Sequence, residues 1–182
     1  AQQDTAAAIA FYQQAATHSI LTAIPAQLHQ LNLLLETDQP EAARSLLPQI
    51  LAQIRNLPLG RTAVYARINY AQSLMKLDNR DARQTAQVLA IALQQARSLQ
   101  DARAQSYTIG TLGNLYEQTQ QWSEATTLTR QALVIAQTLD AADIAYQWQW
   151  QLGRLLRQQQ DRIGAIAAYD EAVKNLQAIR YD

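Results

Sequence analysis

The chain has 182 residues with fifteen Asp and Glu against fifteen Lys and Arg, so it carries no net charge that would attract nucleic acid or an acidic membrane surface. It contains no cysteine, which excludes disulfides, thiol catalysis and zinc bound by cysteine. Gly and Pro are scarce whereas Ala, Gln, Leu and Arg dominate, and this composition predicts an all-α protein with no nucleic-acid or membrane partner.

The first predicted helix covers residues 5–19, and its stretch 8–15 (AIAFYQQA) aligns with residues 165–172 (AIAAYDEA). The later stretch belongs to the second helix of a repeat. We therefore expect the chain to start on such a second helix and to be a fragment of a longer protein. The next helix is expected to begin near Pro25, where proline is tolerated in the first turn, with Thr22 as its cap.

The middle of the chain shows several boundaries. Asp38 and Pro40 form a start signal for the next helix, in which Pro48 should kink or weaken the backbone. Residues 57–60 (Leu-Pro-Leu-Gly) are the plainest break, and two further helices follow them. The last four helices are predicted at about 101–119, 121–139, 141–159 and 161–180. The residues expected to cap them are Asp101, Ser123, Asp140 and Asp161.

An internal repeat of 40 residues organises the chain. Sliding the sequence by this period places matching residues on each other: Leu112 on Leu152, Gly113 on Gly153, Ala125 on Ala165 and Ala132 on Ala172. A fixed period in this range is typical of a solenoid of helix-turn-helix units. The sequence therefore predicts stacked pairs of antiparallel helices.

The repeat resembles the tetratricopeptide (TPR) repeat. Its first helix, helix A, carries Leu112, Gly113 and Tyr116, and its second helix, helix B, carries the Ala-x3-Tyr-x2-Ala pattern of residues 165–172. The period exceeds the roughly 34 residues of a simple TPR, so longer helices are expected. The resemblance implies a right-handed TPR-like α-solenoid of about nine antiparallel helices, namely four helical hairpins plus a leading helix B, with helix A lining the concave groove.

Helical spacing selects candidates for that groove. Positions i, i+4 and i+7 share one face of a helix, which groups Asn114 and Glu117 with Gly110, and Arg154 and Arg157 with Trp150. Two asparagines in earlier helices A are expected on the same wall. The complete candidate set is Asn32, Asn69, Asn114, Glu117, Trp150, Arg154 and Arg157.

The candidates have different expected roles. The segment Leu-Gly-Asn-Leu-Tyr (residues 112–116) resembles the repeats of kinesin light chains. This resemblance implies that Asn114 hydrogen-bonds the backbone of a bound peptide. The alternative is that each asparagine is simply solvated. Trp150 is interpreted either as a ligand anchor beside arginines or as a residue covered by a following helix, whereas Trp148 is predicted to pack between helices. Gly110 stands where a carboxylate-clamp TPR has Lys, so a chaperone-tail clamp is not expected.

No catalytic, metal or cofactor site is predicted. His18 and His29 are the two histidines, and no Asp or Glu pair stands with them at metal-ligand spacing. The serines lack a nucleophile elbow, and the glycines of residues 110–113 lie inside a predicted helix rather than a phosphate loop. We therefore expect a protein that is not an enzyme.

The predicted function is a noncatalytic scaffold that binds a protein, a peptide or another domain of its own chain through the helix A groove. The segments ALVIAQTLD and AAYDEAVKNLQAIR resemble the long TPR regions that precede CHAT (caspase-like) domains in cyanobacterial proteins. This resemblance implies that the repeats regulate an attached CHAT domain. A phosphatase regulator or a DNA-binding regulator would require an appended domain.

The alternative is a structural spacer or oligomerisation solenoid that makes contacts through its ends. The apolar residues Ile9, Phe11 and Tyr12 of the first helix then predict weak end-to-end self-association. The first residues show no basic segment followed by an apolar one, so no signal peptide is expected and a cytoplasmic location is favoured.

Overall fold

The structure, a computed structural model, describes residues 7–12, 20–77 and 81–181. Within these ranges the regular elements are nine helical segments, and no strand occurs. The prediction of an all-α protein is confirmed. The segments are α1 (residues 7–12), α2 (Ile20–Glu36), α3 (Pro40–Arg55), α4 (Arg61–Met75), α5 (Ala82–Ser98), α6 (Ala102–Gln118), α7 (Trp122–Thr138), α8 (Ala142–Gln158) and α9 (Arg162–Tyr181).

The packing divides the chain into two compact units, Ala1–Asp81 and Ala82–Asp182. In the first unit, α2 packs against α3 and α4, and α3 also contacts α4. In the second unit, each helix from α5 to α9 packs against the next one, and α6 also contacts α8. Because the contacts between helices divide the chain into two units, its organisation as a single domain stays a prediction.

The turns of the second unit share one backbone conformation. Each has a residue with left-handed φ, and the N–H groups around it close the preceding helix. In the α6–α7 turn, Gln120 donates to the Glu117 carbonyl (3.1 Å) and Gln121 donates to the Tyr116 carbonyl (2.9 Å), which is a Schellman motif. The left-handed residues are Gln100 (φ 52°), Gln120 (61°), Asp140 (51°) and Gln160 (65°). A turn every 20 residues explains the period of 40.

The helix caps agree only partly with the predicted ones. Asp101 accepts a hydrogen bond from the Ala104 N–H (3.0 Å), as expected for a cap, and Asp161 accepts one from Gly164 (2.9 Å). The prediction is wrong for the other two residues, because Ser123 lies inside α7 and Asp140 takes the left-handed position of its turn. Short Asp side chains tolerate that conformation, so position in the turn overrides capping preference.

The start predicted for the second helix is also wrong. α2 already includes Ile20, so Pro25 lies in the helix interior and Thr22 does not cap it. Proline removes one intrahelical hydrogen bond there. The helix continues because its neighbouring residues Ile24 and Leu28 are buried, and burial of an apolar face contributes more to a helix than local propensity does.

The core of the second unit depends on small residues that let helices approach closely. Ala132 and Ala136 of α7 are fully buried against Trp148 of α8. The indole Nε1 of Trp148 donates to Ser106 Oγ (3.0 Å), which donates to the Ala132 carbonyl (2.8 Å). A Cβ atom added at Gly110 would lie 2.4 Å from the indole ring. The prediction that Trp148 packs between helices is therefore confirmed.

Candidate functional site

A groove lies between α2 and α4 of the first unit, with a volume of about 140 Å³. Two of the predicted groove residues line it, Asn32 from α2 and Asn69 from α4. The structure thus brings together two carboxamides that lie far apart in sequence. The other lining residues are Pro25, Leu28, His29, Thr62, Tyr65 and Ala66.

The carboxamide of Asn32 is held by donors from α4 and from the residue that follows it. Its Oδ1 atom accepts a hydrogen bond from Ser73 Oγ (3.1 Å) and lies 3.4 Å from the Nζ atom of Lys76. Ser73 shares its one hydroxyl hydrogen with the Asn69 carbonyl, so Asn32 keeps its amide nitrogen and part of its acceptor capacity for other contacts. Asn32 therefore presents a positioned donor at the groove.

Asn69 lies on the opposite wall, one helical turn after Tyr65. Its side chain is exposed, and its backbone carbonyl accepts a hydrogen bond from Ser73 Oγ (2.9 Å). Ser73 thus contacts both asparagines, through the side chain of Asn32 and the backbone of Asn69. This contact keeps the two walls in a defined relation.

The groove has a cation at one end. Lys76 Nζ lies 3.9 Å from Glu36 Oε1, a long and solvent-exposed ion pair. Such pairs contribute little energy, about 0 to 1 kcal/mol, and a competing carboxylate can replace Glu36 at low cost. The end of the groove beside Asn32 therefore has a weakly paired positive charge nearby.

Two further residues of the groove, His29 and Tyr65, were not predicted to bind a ligand. The ring of His29 stacks on that of Tyr12 from α1, with centroids 5.6 Å apart. Tyr65 precedes Asn69 by one helical turn, and His29 precedes Asn32 by nearly one turn, so the i, i+4 and i, i+3 spacings could have indicated both. Their rings give the groove an aromatic component.

In the second unit, two predicted groove residues bind each other. Arg154 of α8 forms a bidentate ion pair with Glu117 of α6, with Nε to Oε1 at 2.9 Å and Nη2 to Oε2 at 2.7 Å. The Glu117 side chain is only 16% exposed, so the pair is partly shielded from water. The charge of Arg154 is therefore balanced within the unit.

Asn114 of α6 is half-buried, and its side chain makes no hydrogen bond to another described residue. It stands one turn after Gly110 and just before Glu117 along the same helix. It lines neither the groove between α2 and α4 nor the recess around Trp150. Its role in holding a peptide backbone stays a prediction.

Trp150 and Arg157 both belong to α8 in the second unit. Trp150 is 50% exposed and packs against Tyr169 of α9, with ring centroids 5.0 Å apart. It lines an apolar recess of about 300 Å³ with Tyr146, Val173 and Leu176. Because Trp150 faces α9 whereas Arg154 reaches α6, the structure does not join them in one ligand anchor. Arg157 is exposed and forms no ion pair with the described residues.

The described residues contain no group of three or more His, Asp and Glu side chains that could hold a metal ion. His18 lies outside the described residues. Among the helices described above, none combines the length and the apolar character that a membrane span requires.

No protein-family model matches the chain, and no curated protein sequence matches it either. Solved structures do match its fold. A Rap protein complexed with Competence and Sporulation Factor has a TM-score of 0.76 at 19% identity, and covers 96% of this chain and 50% of its own. This chain thus spans half the length of that protein.

Two other solved structures are similar. A signal transduction ATPase with a tetratricopeptide repeat sensor from Pyrococcus horikoshii has a TM-score of 0.70 at 15% identity, covering 95% of this chain and 27% of its own. A kinesin light chain with nearly identical TPR-like repeats from Podosopora anserina has a TM-score of 0.58 at 13% identity, covering 91% of this chain and 100% of its own. The predicted TPR-like solenoid fold is therefore confirmed.

Proposed function

We propose that the chain is a noncatalytic scaffold that binds an extended peptide segment in the groove between α2 and α4. The observation that carries this proposal is the pair of asparagines, Asn32 and Asn69, on opposite walls of one groove. The sequence predicts both as groove residues. The segment comes from another protein or from another domain of the same chain.

The chemistry of the two carboxamides fits a peptide backbone. Each peptide unit offers one N–H donor and one carbonyl acceptor. The Asn32 oxygen faces Ser73 and Lys76, so its amide nitrogen is the group that donates to a ligand carbonyl. Asn69 is exposed and supplies both a donor and an acceptor. Main-chain recognition of this kind holds an extended segment and leaves sequence preference to other contacts.

Selectivity comes from Tyr65 and Lys76. The ring of Tyr65 borders the groove and provides a surface for an apolar or aromatic side chain. Lys76, which is only distantly paired with Glu36, attracts a carboxylate next to the Asn32 end. The favoured ligand is therefore an extended segment with one acidic and one aromatic or aliphatic residue.

The similarity of fold supports a binding role. One similar structure is a Rap protein in complex with Competence and Sporulation Factor, and another carries a TPR sensor. On the resemblance of the repeats, we extend the proposal to regulation of a CHAT domain in a protein that contains both parts. Expression of this chain joined to a CHAT domain, with the proteolytic activity measured with and without a groove peptide, tests this extension. Equal activity in both states would contradict it.

A spacer or oligomerisation solenoid that uses its ends is the second candidate. The apolar recess around Trp150 supports it, because this recess is larger than the groove between α2 and α4 and has fewer polar groups in its lining. Exposure of Phe11 in α1, at 67%, supports it as well. Light scattering over a range of concentrations tests self-association, which should disappear in Phe11→Ser if α1 takes part.

The groove is tested with peptides selected by display against the purified chain and titrated by calorimetry. Loss of one hydrogen-bonding carboxamide removes about 0.5 to 1.5 kcal/mol, so Asn32→Ala and Asn69→Ala should each raise Kd roughly 2- to 10-fold. Gln49→Ala, at an exposed position of α3, is the matched control and should leave Kd unchanged. If both asparagine variants kept their helicity and bound the peptide with unchanged affinity, the groove proposal would be wrong and the spacer that makes contacts through its ends would be favoured.

A further inference from the structure

Lys76 is held loosely at the end of the groove between α2 and α4. It directly follows α4, and its Nζ atom lies 3.4 Å from Asn32 Oδ1 and 3.9 Å from Glu36 Oε1. Asn32 and Glu36 both belong to α2, where they stand one helical turn apart. The Lys76 side chain is 48% exposed and that of Glu36 is 66% exposed, so the pair is open to water. A ligand carboxylate beside Asn32 therefore competes with Glu36 for the same cation.

The second unit contains a tight form of this contact. Glu117 of α6 binds Arg154 of α8 through two short hydrogen bonds, of 2.7 and 2.9 Å, and the Glu117 side chain is only 16% exposed. A bidentate pair that is shielded from water holds two helices in one arrangement, whereas a single long contact in water contributes little. The packing of α2 against α4 therefore does not depend on the contact between Glu36 and Lys76.

Glu36 also occupies an unfavourable position for a carboxylate. It is the last residue of α2, and the last turn of this helix contains no basic residue. The carbonyl groups at the C-terminus of a helix carry partial negative charge, which repels an acid and attracts a cation. Lys76 offsets this repulsion only from a distance of 3.9 Å. The stability of α2 thus gives no reason for an acid at this position.

We propose that Glu36 is a specificity-determining residue, which competes with the carboxylate of a ligand for Lys76. The proposal rests on the peptide-binding function of the groove. A ligand carboxylate that reaches Lys76 takes the place of Glu36, whose side chain then turns to water. An acidic residue placed elsewhere near this end meets the negative charge of Glu36 without gaining Lys76. Glu36 therefore restricts where an acidic residue is accepted, which is selection by a repulsive group.

Two peptides that differ by one group serve as probes. The first is a display-selected groove peptide that contains one Glu, and the second has Gln in its place. In calorimetric titrations of the 182-residue chain, Glu36→Gln should tighten binding of the acidic peptide about two- to tenfold, because the competing charge is removed. Its affinity for the Gln peptide should not change. Glu41→Gln is the matched control, since it removes the same charge from an exposed position of α3, where Glu41 pairs with Arg44.

Lys76 must account for the gain in affinity. In Lys76→Met the acidic peptide should lose its advantage over the Gln peptide, and adding Glu36→Gln should then tighten its binding by less than about twofold. A measurement without ligand separates this role from a structural one. The urea midpoint should stay unchanged in Glu36→Gln and fall in Glu117→Gln, and an equal fall in both variants would contradict the proposal.

The asparagine variants distinguish failure of this proposal from failure of the groove function. If Asn32→Ala and Asn69→Ala weaken binding but Glu36→Gln leaves the affinity for the acidic peptide unchanged, the role of Glu36 is overturned and the groove function stands. Weaker binding of the acidic peptide in Glu36→Gln would also overturn it, because Glu36 would then contact a cation of the ligand. If neither asparagine variant changes the affinity, the groove function fails, and the proposed role of Glu36 fails with it.

Discussion

Tyr70 links the stability of the first unit to pH. It is 1% exposed, and its hydroxyl donates to the Leu47 carbonyl at 3.4 Å. Burial raises the pKa of Tyr70, and the charge of Arg55 opposes this in part. Because the folded pKa lies above that of the unfolded chain, about 10, the folded state gains stability below that pH. This contribution is lost as the pH rises through the folded pKa.

We expect Tyr70→Phe to lose up to about 1 kcal/mol at pH 7, since the hydrogen bond is long. Above pH 10 its free energy of unfolding should fall less steeply than that of the wild type. Urea unfolding between pH 7 and 11.5 measures this, and Tyr146→Phe, at a half-buried position, serves as control. If the free energy of unfolding of Tyr70→Phe fell as steeply above pH 10 as that of the wild type, ionisation of Tyr70 would not be the cause of the loss of stability at alkaline pH.

The candidate residues show what spacing along one helix can and cannot predict. Spacing correctly placed Trp148 in the core, whereas the two asparagines that the structure brings to one groove are predicted from the repeat register. It also grouped Trp150 with Arg154, although these side chains contact different helices, α9 and α6. Helical periodicity gives the direction of a side chain, whereas the neighbour in that direction depends on tertiary packing.

At the scale of elements, the last four helices could be predicted to within a residue or two. Their turns recur every 20 residues, and this regularity fixes both ends of each helix. The start of α2 could not be predicted, because buried side chains around Pro25 sustain a helix that local rules would end. Nor did the sequence indicate left-handed residues, since the turns use Gln and Asp rather than Gly.

Those turns make a direct prediction. Gln120 has a φ of 61°, a conformation that costs an L-residue roughly 1 to 2 kcal/mol and costs Gly little. Gly also loses more conformational freedom on folding, so Gln120→Gly should raise the free energy of unfolding by about 0.5 to 1 kcal/mol. Gln131→Gly, in the exposed middle of α7, should lower it by about 1 kcal/mol. Urea denaturation compares the two, and a loss of stability in Gln120→Gly would contradict the turn geometry.

At the scale of the whole molecule, the groove between α2 and α4 and the recess around Trp150 belong to different units. The groove lies in Ala1–Asp81 and combines two carboxamides with an apolar and aromatic lining, whereas the recess around Trp150 lies in Ala82–Asp182 and is almost wholly apolar. A chain without net charge attracts neither kind of ligand over long distances, so recognition depends on local contacts. Each surface can therefore be altered by substitutions that leave the other unchanged.

The central claim is that the groove between α2 and α4 holds the backbone of a peptide through Asn32 and Asn69. NMR spectra of the side-chain amide groups test it most directly, with resonances assigned from Asn32→Ala and Asn69→Ala and a display-selected peptide added stepwise. The amide resonances of both asparagines should shift together and saturate, while that of Asn175, which donates to Gln149 in the second unit, stays fixed. Saturable binding in which neither the Asn32 nor the Asn69 resonance moves would contradict the account.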